Sequence, residues 1–264
     1  MITTKTILAQ KGKQKIVMLT AYDAITAAMA ARAKVDIILV GDSLADTALG
    51  YPNTLPISLE AMYHHAAAVA RASGEALVVF DLPFLADCGD IPRDVERAGH
   101  ALKACGCHAV KLEGGAYRVP FIQALVERGI PVMGHLGLMP QHVHRYGGMF
   151  VQGRGDAAER LLLEAKALED AGIFALVLEC VPEELGGMVS EAIKVPTIGI
   201  GAGRSCDGQV QVIADLLGLL DGKLPKHAKR YALLFEQGAR AVESYVDDVR
   251  SLRFPEESNC FGDQ

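Results

Sequence analysis

Several features that would indicate a membrane-bound, secreted or nucleic-acid-binding protein are missing from this sequence of 264 residues. No segment approaches the roughly 20 consecutive apolar residues of a membrane-spanning helix, and the first residues lack the apolar core of a signal peptide. No basic block is long enough to neutralise a run of phosphates, and the net charge is -6. We therefore expect a cytoplasmic protein that binds neither a membrane nor nucleic acid.

Cysteine is also sparse, and its spacing indicates neither crosslinks nor a zinc site. The six cysteines include no CxxC pair, and a chain of this size stabilises itself without disulfides. Cys105 and Cys107 offer two soft metal ligands, but no second pair lies nearby in the sequence. We interpret the cysteines as reduced thiols, and this pair as a helix end packed against a strand.

The sequence does contain a series of short, continuous apolar segments. Half of its residues are hydrophobic, and these segments are rich in Val, Ile and Leu without strict alternation. Such runs are typical of parallel strands that are buried on both faces. Seven are clear, at residues 15–23, 35–43, 75–83, 108–115, 130–137, 174–181 and 195–203, and a weaker eighth covers residues 208–218.

Segments with helical periodicity lie between these runs, and several end in glycine just before the next run. Eight repeats of strand and helix favour an α/β fold of the (β/α)8 TIM barrel type over an open sheet of five or six strands. We expect a helix over residues 4–12 before the first strand and a charged helical tail over residues 226–252. No composition break marks a second domain, so one barrel domain is expected over residues 1–264.

Charged residues stand where several of these strands end, and in a barrel this end carries the active site. The clearest case is the fourth strand, where Lys111 and Glu113 share one face while Leu112 takes the other. If Leu112 packs against the helices, both charges point into the barrel mouth. The alternative is a buried ion pair in which the two charges only neutralise each other and have no functional role, but such pairs are costly to desolvate.

Carboxylates from three neighbouring strands, Asp42, Asp81 and Glu113, form an all-oxygen set suited to a hard cation. Three carboxylates that close repel one another and take up protons unless a cation lies among them. The sequence therefore predicts a Mg²⁺ site, in which one of the three carboxylates can act through water.

Three further side chains at this end have candidate catalytic roles. Lys111 is either a fixed charge for a substrate carboxylate or enolate oxygen, or an amine that forms a Schiff base. We favour the fixed charge, because a divalent ion can itself polarise a ketone. Glu179, which ends the sixth strand after four apolar residues, is the candidate base, and His135 after the fifth strand is a candidate catalytic residue.

Two weaker signals have structural alternatives. Asp23 follows the first strand, but alone it is better explained as a helix N-cap. The segment GIGAG at residues 199–203 is compatible with a phosphate loop, and close strand packing explains it equally well. It is not the dinucleotide motif, because Arg204 stands where the last glycine belongs.

Eight segments together resemble the signature of the ketopantoate hydroxymethyltransferase (3-methyl-2-oxobutanoate hydroxymethyltransferase) family. They run in family order from about Asp42 to Val210, and YGG and LPKHAKRYA extend the likeness over nearly the whole chain. The segments are VGDSL, TLPIS, DLPF, VKLEGG, GHLGLMPQ, VQGRGD, LVLECVP, and PTIGIGAG followed by CDGQV.

This resemblance implies a barrel of the phosphoenolpyruvate/pyruvate superfamily and, in bacterial members, a homodecamer of two pentameric rings. It implies that a hydroxymethyl group passes from 5,10-methylenetetrahydrofolate to 3-methyl-2-oxobutanoate, which gives 2-dehydropantoate for pantothenate and coenzyme A synthesis. The ketoacid is expected to chelate one Mg²⁺ per subunit through its ketone and carboxylate oxygens, and to react as an enolate that this ion stabilises.

Matching motif to motif, the resemblance also assigns binding residues. Asp42, Asp81 and Glu113 take the family's metal positions. Asp42 with Ser43, Asp81 and Lys111 take its ketoacid positions.

The resemblance places Glu179 on the family's proton acceptor and His135 on an active-site histidine. The chain departs from the expected pattern at Ala45, where we expect glycine, and at Asp46, where we expect methionine. If the backbone at Ala45 requires positive φ, alanine costs about a kilocalorie per mole and shifts the loop. Asp46 adds negative charge near an anionic substrate, and Ala214 stands where histidine is usual.

Two other functions remain open. One is a Mg²⁺-dependent lyase of the same superfamily that cleaves a carbon-carbon bond in a 2-oxo or 2-hydroxy acid. Such lyases carry KKCGH after the fourth strand, where this chain has GGAYRVP. The other is a low-activity paralogue that serves as a binding subunit, but such a chain is expected to lose Lys111, Glu113 or Glu179, and all three are present.

Overall fold

The computed structural model describes residues 1–262, and its centre is a closed barrel of eight parallel strands. Each strand pairs with the next along the chain, and the eighth pairs with the first. The predicted (β/α)8 barrel is therefore confirmed. The strands are β1 Ile16–Thr20, β2 Ile37–Val40, β3 Leu77–Asp81, β4 Ala109–Glu113, β5 Val132–Gly137, β6 Ala175–Glu179, β7 Thr197–Ile200 and β8 Gly208–Gln211.

The helices lie mainly in the connections between strands. Asp23 is an N-cap, as expected: its carboxylate accepts a hydrogen bond from the backbone N–H of Thr26 at 2.7 Å. The helices are α1 Thr4–Gln10, α2 Ala24–Arg32, α3 Leu44–Thr47, α4 Leu59–Ala72, α5 Ile91–Lys103, α6 Val119–Glu127, α7 Val143–Tyr146, α8 Ala157–Asp170, α9 Glu183–Ala192, α10 Ile213–Leu217 and α11 Leu234–Arg250.

The strands are apolar on both faces because the barrel has two hydrophobic cores. Along β2, Ile37 and Leu39 belong to the cluster inside the barrel. Ile38 and Val40 alternate with them and pack in the cluster between the barrel and the helices. This double burial explains why the sequence shows continuous apolar runs rather than alternation.

Helix α1 closes the amino-terminal end of the barrel, opposite the end where functional residues are expected. Its Ile7 is fully buried in the inner cluster with Ile16 and Leu77, which lie at the starts of β1 and β3. The first helix predicted from the sequence is thus present, and it acts as a plug of one barrel end.

The predicted helical tail is wrong over its first part. Residues 226–233 are not helical, and the helix begins only at Leu234. Tertiary contacts use the backbone N–H groups that a helix would need: that of Lys229 donates to Gln211 Oε1, and that of Tyr231 donates to the carbonyl of Leu216. This segment runs back along the end of the barrel instead.

The other structural expectations concern the thiols and membranes. All six cysteines are free, and Cys105 and Cys107 are buried in the outer core between α5 and β4. This agrees with their interpretation as packing residues. Within residues 1–262, no helix is both long and apolar enough to cross a membrane.

Candidate active site

A cavity of about 340 Å³ opens at the carboxyl ends of the strands. The structure brings all seven predicted site residues to its wall, although they come from five different strands or the turns that follow them. The floor is polar, whereas Met149, Leu220 and Pro225 contribute to the outer wall. The seven residues are Asp42, Ser43, Asp81, Lys111, Glu113, His135 and Glu179.

The alternation predicted for the fourth strand is present. Leu112 packs in the outer core, while Lys111 and Glu113 on either side of it are buried and line the cavity. The register of the barrel sets Asp81 beside Lys111 and Glu113 beside His135 on the adjacent strands. The opposite charges of β4 therefore face partners on neighbouring strands rather than only each other.

Lys111 forms its ion pair with Asp81. Its Nζ donates to both carboxylate oxygens of Asp81 at 2.7 Å. Burial acts against the charged lysine, but the carboxylates of Asp81, Glu113 and Asp42 outweigh it and raise the pKa of Lys111. Burial also raises the pKa of Asp81 despite the neighbouring ammonium. Lys111 is therefore a permanent cation that balances one of the three carboxylates.

Of the other two carboxylates, Glu113 faces the ring of His135, whereas Asp42 has no ion-pair partner among the described residues. Burial raises the pKa of Asp42 well above its ordinary value, and the nearby charges of Asp81 and Glu113 add to this effect. Asp42 is held by a neutral group, the side-chain amide of Gln141, which donates to Oδ2 at 2.9 Å. The cavity floor thus carries more negative charge than the protein itself compensates.

His135 lies between two carboxylates at the back of the cavity. Its Nδ1 is 3.5 Å from Glu113 Oε1, and its Nε2 is 3.4 Å from Glu179 Oε2. These are ion-pair contacts rather than well-formed hydrogen bonds, since both ring nitrogens lack a hydrogen-bond partner. Burial and Lys111 oppose protonation, but the two carboxylates raise the pKa of His135 to about 9.

Sequence reasoning missed two residues that hold predicted site residues in place, Gln141 and Tyr22. Gln141 is the last residue of the segment GHLGLMPQ, and nothing in its spacing indicates a contact with Asp42. Tyr22 follows β1, and its hydroxyl lies 2.8 Å from Ser43 Oγ. Burial raises the pKa of Tyr22 to about 12, so the phenol stays protonated and can orient the serine hydroxyl.

The two departures from the family pattern at Ala45 and Asp46 differ in their structural effect. The expectation of strain at Ala45 is wrong: this residue is buried inside the helical turn α3, and it is not one of the described non-glycine residues with positive φ. Asp46, by contrast, lines the cavity with Asp215, and burial raises the pKa of Asp46. The additional acidic side chain therefore does lie at the cavity, although burial disfavours its charged form.

The glycine segment after β7 is explained by packing. Gly203 has a φ of +87°, and a Cβ atom there would lie 2.4 Å from Cγ of Glu183. A Cβ on the nearby Gly186 would lie 2.2 Å from the carbonyl oxygen of Ala202. Both glycines allow α9 to pack closely on this loop, so neither requires a phosphate to account for it.

The suitability of the cavity for a cation depends on its donor chemistry. Within the described part of the chain, no three His, Cys, Asp or Glu side chains lie so that they could hold a metal ion as they stand. The donor set at the floor is nevertheless made of carboxylate oxygens, which hard cations such as Mg²⁺ prefer. Its excess of negative charge also fits a divalent ion that keeps several water or substrate oxygens as ligands.

Comparison with known proteins identifies relatives over nearly the whole chain. A family model described as ketopantoate hydroxymethyltransferase matches residues 1–257. A 3-methyl-2-oxobutanoate hydroxymethyltransferase of Pseudothermotoga lettingae is 53% identical over 254 residues, which cover 96% of each chain. The protein of the same name from Moorella thermoacetica is 50% identical over 262 residues, covering 98% of this chain and 97% of its own.

Solved structures with a similar fold are much more distant in sequence. A 2,3-dimethylmalate lyase, described as a member of the PEP mutase/isocitrate lyase superfamily, aligns with a TM-score of 0.62 at 17% identity, covering 95% of this chain and 88% of its own. A phosphonopyruvate hydrolase solved with oxalate and Mg²⁺ aligns with a TM-score of 0.64 at 13% identity, covering 99% and 92%. At these identities the likeness shows the barrel fold alone.

Proposed function

The chain belongs to the ketopantoate hydroxymethyltransferase family, and we propose that it transfers a hydroxymethyl group from 5,10-methylenetetrahydrofolate to 3-methyl-2-oxobutanoate, giving 2-dehydropantoate. The observation that supports this most directly is the composition of the cavity floor. Three carboxylates, one fixed ammonium and a histidine-linked glutamate meet at one end of the barrel. Such a set suits a small 2-oxo acid that must lose a proton next to its ketone.

Mg²⁺ is the cofactor that best fits this floor, and Asp42, Asp81 and Glu113 are the residues that would hold it. When bound, it supplies Lewis-acid polarisation of a ketone oxygen. The fit rests on charge: four carboxyl groups line the floor against two cationic groups, Lys111 and His135, and Asp42 is met only by a neutral amide. Neighbouring carboxylates in excess of the cations among them repel one another, and a divalent ion would relieve that repulsion.

Lys111 acts in this proposal as a fixed positive charge for the substrate. Both of its hydrogen bonds to Asp81 hold the ammonium in place, and the surrounding carboxylates keep it protonated. A protonated, ion-paired lysine is a poor nucleophile, which argues against a Schiff base. Its charge instead favours the carboxylate of a 2-oxo acid and the negative charge that develops when C3 is deprotonated.

Glu179 is the proposed base that removes the C3 proton. Its side chain reaches the cavity and is 15% exposed, so a substrate can approach it. His135, held between Glu179 and Glu113, limits the rotation of both carboxylates. Ser43, whose hydroxyl is oriented by Tyr22, is the proposed partner of a substrate oxygen on the opposite wall. Proton removal then leaves C3 free to attack the one-carbon unit.

The assembly and cellular location are also part of this proposal. A homodecamer would cover apolar side chains on α11, a helix without a buried residue: Val242 is 63% exposed and Tyr245 is 56% exposed. The six free thiols suit the reducing cytoplasm. Neither inference is needed for the chemistry at the cavity floor.

The proposed proton transfer can be tested without the folate co-substrate. The protein is incubated with MgCl₂ and 3-methyl-2-oxobutanoate in D₂O, and loss of the C3 proton signal is followed by NMR. Exchange is expected, and EDTA should stop it. Because a positioned base contributes about 10² to 10⁴ in rate, Glu179→Gln should slow exchange by at least a hundredfold.

Glu183→Gln is the matched control, since Glu183 is a surface glutamate four residues away that pairs with Arg204. It should exchange at the wild-type rate. No exchange in the wild-type protein would favour the binding-subunit alternative. Release of a shorter 2-oxo acid from a longer substrate would favour the lyase.

A further inference from the structure

Gln141 connects the ends of four neighbouring strands. It lies in the turn after β5, and its side chain is 7% exposed. Its Nε2 donates to Asp42 Oδ2 after β2 and to the carbonyl of Leu82 after β3, both at 2.9 Å. Its backbone N–H donates to Glu113 Oε2 at the end of β4, at 3.2 Å. One residue therefore contacts two of the three clustered carboxylates.

These contacts occupy one carboxylate oxygen each of Asp42 and Glu113. Oδ1 of Asp42 accepts no hydrogen bond from the described residues, yet it is not among their fully buried unpartnered atoms. Because Asp42 lines the cavity, Oδ1 is the oxygen that reaches it. Oε2 of Glu113 is likewise occupied by Gln141, while Oε1 lies 3.5 Å from the ring of His135.

We propose that Gln141 is a positioning residue that holds Asp42 and Glu113 in the orientation needed to bind a divalent cation. The inference rests on the proposed function for the existence of the cation site and adds the residue that organises it. Gln141 does not touch substrate or metal in this proposal. It acts by fixing Oδ2 of Asp42 and Oε2 of Glu113, which sets the orientation of both carboxylates and leaves Oδ1 of Asp42 available.

The neutral charge of Gln141 is essential to this role. A lysine or arginine at the same place would hold Asp42 equally well but would cancel its charge, as Lys111 does for Asp81. An amide donates a hydrogen bond without removing net charge from the cluster. The carbonyl of Leu82 fixes the second amide hydrogen, so the donor to Asp42 cannot rotate away without losing both bonds.

The proposal is tested by direct Mn²⁺ binding, with free Mn²⁺ counted by electron paramagnetic resonance. Gln141→Met keeps the side-chain length and the backbone N–H but removes the amide. Loss of a residue that orients metal ligands typically costs about 10- to 100-fold in affinity, and the Mn²⁺ dissociation constant should rise by that factor. At saturating Mn²⁺, kcat should return to within a few-fold of wild type.

Two further variants separate positioning from general damage to the fold. Gln209→Met makes the same change at an exposed glutamine of β8 that donates to the carbonyl of Gly203, and its Mn²⁺ affinity should equal wild type. Gln141→Asn keeps the amide but is one methylene too short to reach both acceptors, so its affinity should fall between wild type and Gln141→Met. This second substitution keeps the test available if the methionine variant does not fold.

The possible results distinguish this proposal from the proposed function. If the wild-type protein binds no Mn²⁺, the cation site itself is wrong and both fail. If wild type binds Mn²⁺ and folded Gln141→Met or Gln141→Asn binds it equally tightly, the positioning role alone is overturned. A lower kcat that saturating Mn²⁺ does not restore would also overturn it, because Gln141 would then act on a later step.

Discussion

Asp207 and Asp42, at the two ends of the barrel, are held in opposite ways. At the amino-terminal end, Asp207 accepts hydrogen bonds from Lys11 Nζ at 2.8 Å and from the backbone N–H of Thr197 at 2.9 Å. Burial acts in the other direction, but these donors hold the pKa of Asp207 below its ordinary value. At the carboxyl end, burial and nearby charges, chiefly that of Asp81, raise the pKa of Asp42 well above it.

The difference lies in how completely the protein compensates each charge. Asp207 is 11% exposed and is met by an ammonium and several N–H and O–H donors, so its charge contributes to stability. Asp42 is met by one neutral amide, so its charge remains available to a cation from solution. Incomplete compensation of an acid therefore distinguishes Asp42, at the end where barrel enzymes carry their active sites, from Asp207 at the opposite end.

The largest effect is expected from Asp42→Asn. The substitution removes a proposed cation ligand, and because Lewis-acid stabilisation is worth several kcal/mol, kcat/KM should fall by roughly a thousandfold. In EDTA the same variant should melt at a higher temperature than wild type, because a repulsive buried charge is gone. Activity assays and thermal melts with and without MgCl₂ check both results. A variant that is less stable in EDTA would show that Asp42 is compensated after all.

The reciprocal change at the other end is Asp207→Asn. It leaves Lys11 without its ionic partner in a largely buried place, which should lower the free energy of unfolding by about 2 kcal/mol. The cavity is at the opposite end, so kcat and KM should stay within twofold of wild type. Urea unfolding and a standard assay of the same sample measure both. Loss of activity in a folded variant would mean that the two ends are not independent.

The pH dependence of this contribution has a definite sign. Because the folded-state pKa of Asp207 lies below its ordinary value of 3.8, the ionised form stabilises the fold above that pH. The contribution is lost as pH falls through the lower, folded-state value. The stability difference between wild type and Asp207→Asn should therefore be constant from pH 5 to 7 and shrink below about pH 4. Urea unfolding of both proteins across this pH range measures this difference in the free energy of unfolding. A difference that grows as the pH falls would contradict the prediction.

Much of this arrangement can be predicted from the sequence because strand geometry fixes it. Alternation sets Lys111 and Glu113 on one face, and a closed parallel barrel brings the ends of all strands to one rim. The identity of each partner is less predictable. Lys111 pairs with Asp81, thirty residues away, because of the register between β3 and β4.

The residues that sequence reasoning missed act through long-range contacts from turns. Gln141 reaches Asp42 across 99 residues of sequence, and no local pattern encodes that distance. In the sequence Tyr22 is part of an apolar segment, and only the fold shows that its hydroxyl forms a hydrogen bond with Ser43. The non-helical start of the tail has the same cause, since its N–H groups bond to Gln211 and Leu216 rather than along a helix.

The smallest effect is expected from Asp46→Asn, which tests whether every acid at the cavity serves binding. Asp46 lines the wall near Asp215 rather than the floor, and burial raises the pKa of Asp46. A like charge on the wall of a cavity that binds an anionic substrate costs roughly 0.5 to 1 kcal/mol, so its removal should lower KM for 3-methyl-2-oxobutanoate by about 2- to 5-fold with kcat unchanged.

Asp170→Asn is the matched control for this last substitution, since it changes net charge equally at an exposed position at the end of α8, on the amino-terminal side of the barrel. Its KM should equal wild type at physiological ionic strength, because charges beyond about 8 Å of water are screened. If Asp46→Asn raises KM instead, Asp46 contributes a favourable contact to substrate binding. The acids that take part in binding would then include one on the cavity wall as well as those on its floor.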